Sequence, residues 1–328
     1  MTHLFRRLCA SASVLPLFFS VPICAGFVLV GGYTSPPPPS TAKAAEAATA
    51  ATPPPAAGAG TAQAPTSLAK SGATQTRDPQ CPTWTYPEMT GATNNWAAAG
   101  CRACTESSRD YYQSPILLQR SAVAGTSPTD LTPPNLTLTL SPQREDNNYA
   151  FKVDQPLTIN SLTGPVRYTW TFEGFHFHVP AEHVLMGQLV SVMEMHVKAK
   201  GTYTSPSGNG TDNGVFAVQF AVSSDPSTPT WLRGVANAMA GQPNQTFEIT
   251  TALRRFQTEP AFFYMGSLTT PPCSGRVLFF VLQSPLLVDL ASWRDIASSL
   301  TTLNHMSNVR PLKATPAGAT QTLLLPRR

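Results

Sequence analysis

Three histidines lie on two strand-like runs of the sequence at spacings that suit a metal ion. His176 and His178 are two residues apart, and residues two apart on a strand face the same side. His196 lies on a second run, 191–198, after a turn near 186–188. If the two runs pair antiparallel, all three imidazoles meet on one face. Three neutral imidazoles with an open fourth position are typical of a catalytic zinc site, whereas structural zinc sites have four protein ligands.

An acidic residue beside the third histidine supports this interpretation. Glu194 lies two residues before His196, on the same face of the predicted strand. Its carboxylate can therefore accept the remaining N–H of the imidazole. Such pairs fix the tautomer and raise the basicity of the ligand. Because an HxH pattern alone is common among ordinary core and surface histidines, the metal prediction depends on this downstream Glu-Met-His as well.

The same stretch allows a second kind of metal site. Glu182 follows His178 by four residues, which resembles the cupin pattern HxHx3–4E, where the glutamate is a ligand and the metal is iron or manganese. Cupin motifs place a glycine six residues after the glutamate, whereas Gly187 comes too early, and no second cupin motif follows. The three-histidine zinc interpretation is therefore preferred.

The composition excludes several functional classes. Charged residues make up 12% of the 328 residues, about half the usual share, and there are 32 prolines. Low charge argues against a polyelectrolyte-type disordered protein, and abundant proline argues against a helical bundle. The net charge is +4 without a run of Lys and Arg, so no nucleic-acid partner is predicted.

The first 80 residues account for much of this bias. Residues 1–32 place Arg6 and Arg7 before an apolar stretch over 8–32, which predicts either a cleaved signal peptide or an uncleaved membrane anchor. Either one makes the remainder extracytoplasmic, secreted or membrane-anchored. Residues 33–80 are rich in Pro and Ala, which predicts a disordered linker or stalk.

The rest of the chain predicts one β-rich domain over 81–315, followed by a C-terminal tail over 316–328. Short runs of β-branched and aromatic residues alternate with clusters of turn residues. Helices are predicted at 231–240 and 291–303, the second with Ser292 as its capping residue. Three N-glycosylation sequons are compatible with secretion.

Four cysteines lie in this domain: Cys81, Cys101, Cys104 and Cys273. In an oxidising compartment they predict two disulfides, with three pairings open. The CxxC formed by Cys101 and Cys104 lacks the βαβ context of a thioredoxin-like redox motif, and a zinc site would need a second cysteine pair nearby.

Two longer motifs resemble the α-class carbonic anhydrases. The stretch from Phe175 to His183, with the downstream Glu194-Met195-His196, follows the zinc signature of that family. Gly266-Ser267-Leu268-Thr269-Thr270-Pro271-Pro272-Cys273 follows its second signature almost letter for letter. Further matches in the family's order are Trp84-Thr85-Tyr86, Trp96, Gln113-Ser114-Pro115-Ile116 and Arg310-Pro311. The resemblance covers about residues 81–312.

The resemblance implies a mainly β (α+β) fold, with a large twisted, mostly antiparallel sheet, short peripheral helices and zinc in a central cleft. It implies zinc-dependent, reversible hydration of CO2 to bicarbonate and a proton by zinc-bound hydroxide. In carbonic anhydrases the metal lowers the pKa of its bound water to about 7, a value established for that family. Sulfonamide-type inhibitors are expected to bind.

The family's roles carry over onto matching residues. His176, His178 and His196 are expected to hold Zn²⁺. Thr269 is expected to accept a hydrogen bond from the hydroxide and to donate its own to Glu182, which points an oxygen lone pair at the substrate.

The resemblance also assigns residues around the substrate. Thr270 is expected to border the bicarbonate site. Leu268 and Val277 are expected to line the apolar CO2 pocket, with Ala217 in a place usually held by valine. Tyr86 is expected to support the site from behind the ligands.

A disulfide pairing is implied as well. Cys273 matches the family cysteine that is bonded to one just before the Gln-Ser-Pro motif. Either Cys101 or Cys104 fits as its partner; we favour Cys104, which leaves Cys81 to pair with Cys101.

Two departures from the family concern proton transfer and zinc affinity. Tyr149 stands where the fast members carry a proton-shuttling histidine. Because tyrosine titrates near 10, far from the optimum for a relay at neutral pH, slowed proton transfer is expected. Gly174 replaces the glutamine that usually supports the first zinc histidine, which is expected to weaken zinc binding.

A third departure bears on activity itself. Lys198 lies two residues beyond His196, on the cleft side of the strand, where the family has an apolar residue. Its stem can line the wall with the ammonium pointing outward, or it can narrow the CO2 pocket. The alternative function is therefore a catalytically weak or inactive carbonic-anhydrase-like binding module on a stalk. The retained ligands, Thr269 and Glu182 favour the enzyme.

Overall fold

A computed structural model describes the following parts of the chain: residues 84, 86, 96, 97, 100–105, 112–119, 123–126, 136–145, 148–153, 158–163, 166–185, 191–304, 307–315 and 321–325. All of them belong to one compact unit, Gln63–Arg328. The predicted leader over 1–32 and the linker over 33–80 lie outside the described residues. No helix within the described ranges is both long enough and apolar enough to cross a bilayer.

Strands dominate the described part of the chain. The strands are β1 (Leu117–Leu118), β2 (Val123–Thr126), β3 (Thr137–Thr139), β4 (Pro142–Glu145), β5 (Asn148–Lys152), β6 (Thr158–Thr163), β7 (Val166–His178), β8 (Val184–Leu185), β9 (Met193–Ser205), β10 (Gly208–Ser223), β11 (Thr246–Glu248), β12 (Ala261–Ser267), β13 (Gly275–Leu282), β14 (Leu286–Asp289) and β15 (Thr322–Leu325). The helices are a 3-10 turn (Arg102–Cys104), α1 (Arg233–Met239), α2 (Thr250–Leu253), α3 (Arg255–Thr258) and α4 (Leu290–Asn304).

One large sheet organises these elements. Its strands run in the order β2-β15-β12-β13-β10-β9-β7-β5-β4, with β14 beside β10 and β6 beside β7. Most neighbours are antiparallel, while β10 is parallel to β13 and β14, and β2 is parallel to β15. The prediction of a mainly β fold with a large sheet and short helices is confirmed.

The three central strands pack their far face around Trp170, which is fully buried on β7. Gly201 on β9 and Gly214 on β10 lie against its ring. A Cβ would come 2.6 Å from Cζ3 at Gly201 and 2.4 Å at Gly214, which is closer than carbon atoms approach. The two glycines therefore allow an indole to pack flat on the sheet, and this packing supports the strands that carry the histidines.

Both predicted helices are present, but the cap of the second differs from the prediction. Helix α4 spans Leu290–Asn304, close to the predicted 291–303, and α1 spans Arg233–Met239 within the predicted 231–240. Ser292 does not cap α4; its backbone N–H instead donates to Oδ1 of Asp289 at 2.9 Å. Aspartate is an equally good N-cap, and it ends β14 just before the helix.

The C-terminal segment is not the tail that was predicted for 316–328. Within it, β15 pairs antiparallel with β12 and parallel with β2, so it is an interior strand of the large sheet. Leu324 is buried in the core. The run Thr-Leu-Leu-Leu is short but apolar, and it continues the sheet beyond the predicted end of the domain at 315.

Candidate metal centre

Adjacent strands place the three histidines side by side. β7 and β9 pair antiparallel with His176 directly opposite His196, and β10 places Ala217 on the other side of His196. His178 follows two residues after His176 on the same face. The ring centroids are 4.9 Å apart for His176 and His178, 5.4 Å for His176 and His196, and 4.6 Å for His178 and His196. One nitrogen from each ring lies within 4.8 Å of the other two.

The hydrogen bonds of two rings decide which nitrogens face the centre. Nδ1 of His178 donates to the carbonyl oxygen of Asn308 at 2.7 Å, and Nε2 of His196 donates to Oε1 of Glu194 at 2.9 Å. Nε2 of His178 and Nδ1 of His196 are therefore lone-pair donors. Nε2 of His178 is buried and has no hydrogen-bond partner among the described residues. Since an unpaired buried acceptor is costly, its position fits a metal ion, and the all-nitrogen donor set suits zinc.

Burial keeps two of the rings neutral. It lowers the pKa of His178, and it lowers that of His176 well below the usual value with help from the nearby positive charges of His178, His196 and Lys198. Burial also opposes charge on His196, but the hydrogen bond and charge of Glu194 outweigh it and raise the pKa. Neutral imidazole is the form that binds a metal.

Glu194 is the centre of a buried polar network behind the ligands. Burial alone would raise the pKa of this carboxyl, but the charge of His183 and hydrogen bonds with His183 and His196 bring it well below its usual value. Nδ1 of His183 lies 2.7 Å from Oε1 of Glu194, and Nε2 of His183 lies 2.6 Å from the hydroxyl of Tyr264. That hydroxyl donates to Oγ of Ser114 at 2.9 Å. Sequence reasoning found Glu194 but missed Tyr264, because nothing local in the sequence links a tyrosine 81 residues away to His183.

A second buried carboxylate lies beside the ligands. Oε1 of Glu182 accepts the backbone N–H of Arg310 at 2.9 Å. Oε2 accepts no hydrogen bond from the part of the chain that the structure describes, and it lies 3.5 Å from Nε2 of His178. The expected hydrogen bond from Thr269 to this carboxylate is therefore not formed in the structure, although Thr269 is buried near the same centre.

The side chain of Arg310 links the loop after β12 to the N-terminal part of the domain. Its guanidinium donates to the carbonyl oxygens of Ser114, Leu268 and Cys104 and to Oε1 of Gln113. Burial lowers its pKa to about 10. Arg310 thus holds the residue that precedes Thr269 and, through its backbone, the carboxylate of Glu182.

Two of the histidines, His176 and His196, line a cavity of about 350 Å³. Predicted site residues that line it are Tyr86, His176, His196, Lys198, Leu268, Thr269, Thr270 and Val277. Residues that sequence reasoning did not assign to the cavity are Asn148, Ala150, Glu173, Ala199, Asn213, Gly214, Val215, Pro271, Pro272 and Phe279. The cavity combines an apolar wall, two threonines and a metal-binding triad.

Comparison with known proteins identifies the family. The model of the eukaryotic-type carbonic anhydrases matches residues 92–317. The chain belongs to this family. Its members hydrate CO2 and depend on zinc. Among the described residues, His176, His178 and His196 form one group that can hold a metal ion, and His183, Glu194 and His196 form a second.

Similar carbonic anhydrases come from several bacteria. The carbonic anhydrase of Klebsiella pneumoniae is 27% identical over 236 residues, which is 70% of this chain and 87% of that protein. That of Neisseria gonorrhoeae is 30% identical over 173 residues, 52% of this chain and 64% of that protein. The solved α-carbonic anhydrase of Photobacterium profundum is 25% identical, with a TM-score of 0.51 over 74% of this chain and 99% of that one. The Thermovibrio ammonificans enzyme, solved with sulfanilamide, is 21% identical with a TM-score of 0.50 over 74% of this chain and 98% of that one.

The position of Tyr149 in this carbonic anhydrase corrects one prediction. On β5, Ala150 pairs with His176 and faces the cleft together with Asn148. Strand alternation directs Tyr149 to the opposite face, where its ring packs against the main core and its hydroxyl lies 3.5 Å from Nη2 of Arg144. Tyr149 therefore does not occupy the cleft position of a proton shuttle.

Ala217 also differs from its prediction as a substrate-binding residue. It is fully buried and is not among the described residues that line the cavity. It packs behind the wall, in the apolar cluster that contains Val215, Val277 and Phe279. Val215, two residues earlier on β10, takes the wall position instead.

The cysteines of this carbonic anhydrase agree with the pairing that the resemblance implied. Cys104 and Cys273 form a disulfide with an S–S distance of 2.04 Å. Cys101 is disulfide-bonded as well; Cys81, its predicted partner, lies outside the described residues. The carbonyl oxygen of Cys273 accepts a hydrogen bond from Nε2 of Gln113 at 3.2 Å, which anchors the loop that carries Thr269.

Gly174 has a steric reason to lack a side chain. The pairing of β7 with β9 shifts between Phe172 and Gly174, and a Cβ at Gly174 would lie 2.5 Å from the carbonyl oxygen of Phe151 on β5. The glutamine that the family resemblance implies for this position therefore does not fit without movement of a strand backbone.

Replacement of Gly174 by alanine should destabilise the protein. Because the clash is with backbone rather than with a mobile side chain, we expect a loss of about 2 kcal/mol in the free energy of unfolding. Urea unfolding of the full chain measures it. Equal stability of variant and parent would show that β5 and β7 can separate without cost.

Proposed function

We propose that the chain catalyses the reversible hydration of CO2 to bicarbonate and a proton, with Zn²⁺ held by His176, His178 and His196. The observation that carries this proposal is the convergence of three imidazole nitrogens within 4.8 Å at the cavity, one of them buried without a partner. Zinc bound there would supply hydroxide at neutral pH by lowering the pKa of its water to about 7, as is established for carbonic anhydrases.

Hydrogen bonds to groups outside the triad fix the orientation of two of the three histidine rings. Glu194 holds the His196 ring through Nε2, and the carbonyl oxygen of Asn308 holds the His178 ring through Nδ1. Each bond fixes one tautomer and leaves the other nitrogen for the metal. Among the described residues, no side chain gives His176 the equivalent support, since Gly174 has none, so we expect weaker zinc binding than a glutamine at position 174 would give.

Thr269 and Glu182 direct the attacking oxygen. In the proposed arrangement, the hydroxyl of Thr269 donates to Oε2 of Glu182, which accepts no other hydrogen bond. The hydroxyl of Thr269 would then be left to accept a hydrogen bond from the attacking water or hydroxide, and this bond would orient the attacking group toward the substrate. Arg310 keeps the carboxylate in place by donating its backbone N–H to Oε1. The absence of a competing donor on Oε2 supports this role.

The apolar wall provides the place for CO2. Leu268, Val277, Val215 and Phe279 line the cavity on one side of the triad, and an uncharged linear substrate binds such a surface better than water does. Thr270 lies at the same cavity and borders the position proposed for bicarbonate. Tyr86 lines the cavity as well, and its supporting role remains part of this proposal.

Proton release is expected to limit turnover. Among the described residues that line the cavity, the imidazoles are His176 and His196, both assigned to the metal. With no histidine left to accept the proton near its own pKa, we expect the hydration kcat to rise severalfold as imidazole buffer is added. Stopped-flow assays at fixed pH and ionic strength measure this. A kcat independent of buffer concentration would reveal an internal proton carrier.

The disulfides bear on the compartment in which the protein works. Disulfides persist in oxidising compartments, so we propose that the carbonic anhydrase domain works outside the cytosol, secreted or attached to a membrane through residues 8–32. A sulfonamide is proposed as an inhibitor because the Thermovibrio ammonificans enzyme was solved with sulfanilamide.

One experiment tests the proposed function. The full chain is purified, its zinc is measured, and CO2 hydration is followed by stopped-flow with and without a sulfonamide. The proposal predicts about one zinc per chain and hydration that the sulfonamide abolishes. Full zinc occupancy without hydration would refute it and favour the binding module.

A further inference from the structure

Lys198 lies in the row of residues next to the metal ligands. On the cleft face, β7, β9 and β10 align His176, His196 and Ala217 in one row and Gly174, Lys198 and Val215 in the next. Neighbours directly opposite each other in a sheet point to the same side, and rows two residues apart are about 7 Å from each other. Lys198 therefore extends from the sheet one row from the triad.

The neighbours of Lys198 leave space for its side chain on the cavity side. Gly174 has no side chain, and Val215 is short and apolar. Lys198 is half-buried and lines the cavity together with Thr269 and Thr270. The lysine and the two threonines thus share one space with the open side of the triad.

The charge of Lys198 acts on this space. Lys198 lines the same cavity as His176 and His196, so its charge lies beside the space that the triad faces. Glu173 is the carboxylate among the described lining residues, and it is exposed. An exposed charge is screened by solvent more strongly than a half-buried one, so Glu173 offsets the charge of Lys198 only in part.

We propose that Lys198 makes the cleft a binding site for small oxyanions, bicarbonate above all, with its ammonium as a second anchor beside Thr269 and Thr270. This inference rests on the proposed zinc site. Neutral CO2 gains nothing from the ammonium, whereas bicarbonate gains a charge interaction. Lys198 therefore makes the cleft bind bicarbonate more tightly relative to CO2 than the apolar residue that the family resemblance implies at this position would.

Binding of bicarbonate, measured without catalysis, tests the proposal. The zinc-loaded full chain is saturated with a fluorescent arylsulfonamide, which bicarbonate then displaces at fixed pH and ionic strength; the sulfonamide affinity of each variant is measured first. Lys198→Met and Lys198→Gln keep the length of the side chain and remove its charge, and each should weaken bicarbonate binding about tenfold, as expected for a partly desolvated charge pair. Lys198→Arg should stay within about twofold.

A matched control separates local from general effects of charge. Lys200 lies two residues further along β9, is exposed and is outside the described cavity lining, so Lys200→Met should leave bicarbonate binding unchanged. Unchanged binding in both uncharged Lys198 variants, or an equal loss in Lys200→Met, would overturn the inference. If the parent protein binds zinc and the sulfonamide, such a result would refute only the role of Lys198. If the parent protein binds neither, the proposed function would be refuted together with the role of Lys198.

Discussion

Replacement of His178 by alanine should remove zinc from the protein and reduce CO2 hydration by more than about a hundredfold. Loss of a partner outside the ligand shell already costs roughly 10–100-fold in metal affinity or activity, and loss of a ligand costs more. His178 is the most informative of the three because it is fully buried and its Nε2 has no protein partner. Zinc content and stopped-flow hydration, measured on the same preparation, check the prediction.

The control for this variant is a comparison of the metal-free variant with the metal-free parent, which shows whether the variant folds. Alanine leaves a cavity and deprives the carbonyl of Asn308 of its donor, so some loss of stability is expected for reasons unrelated to zinc. Near-ultraviolet circular dichroism of the metal-free parent and variant shows whether tertiary packing is retained. A folded variant that still held one zinc per chain would exclude His178 as a ligand.

Replacement of Thr269 by valine should lower kcat/KM for CO2 by about a hundredfold while zinc stays bound. Valine keeps the shape of threonine and removes its hydroxyl, so the reactive oxygen loses the group that orients it. Removal of a single oriented hydrogen bond at a reacting centre typically costs about 10²–10³ in rate. Thr269 is buried at the cavity. Its hydroxyl does not bond to Glu182 in the structure, but Oε2 of Glu182 accepts no hydrogen bond from the described residues and can accept one from it.

A second variant distinguishes the loss of the orienting hydroxyl of Thr269 from a change in packing at this position. Thr269→Ser keeps the hydroxyl and loses a methyl group, so most of the activity should return. If valine and serine variants were equally slow, the defect would lie in packing against the cleft wall. If the valine variant matched the parent, Thr269 would have no part in the reaction.

Local patterns predicted the central elements well. Antiparallel pairing of the runs around His176 and His196 follows from alternation and a turn, and the structure pairs them directly. Glu194 could be assigned to His196 because both lie two residues apart on one strand. Helix α4, predicted at 291–303 from a capping signal at its start, spans Leu290–Asn304.

Long-range register could not be predicted. Whether Tyr149 or its neighbours face the cleft depends on how β5 pairs with β7, and a shift by one residue exchanges the two faces. Ala217 was misplaced for another reason. It lies in the same row as His176 and His196, but it is fully buried in the apolar cluster that contains Val277 and Phe279, and such packing cannot be predicted from the sequence. The strand β15 was missed because four residues carry too little pattern to be distinguished from a tail.

The central claim is that one zinc ion, held by the three histidines, makes this chain hydrate CO2. Titration of the metal-free full chain with Zn²⁺, followed by stopped-flow CO2 hydration, tests it most directly. The account predicts that activity rises in proportion to added zinc and saturates at one ion per chain. Saturation with zinc without hydration activity, or activity that is unchanged after the metal is removed, would contradict it.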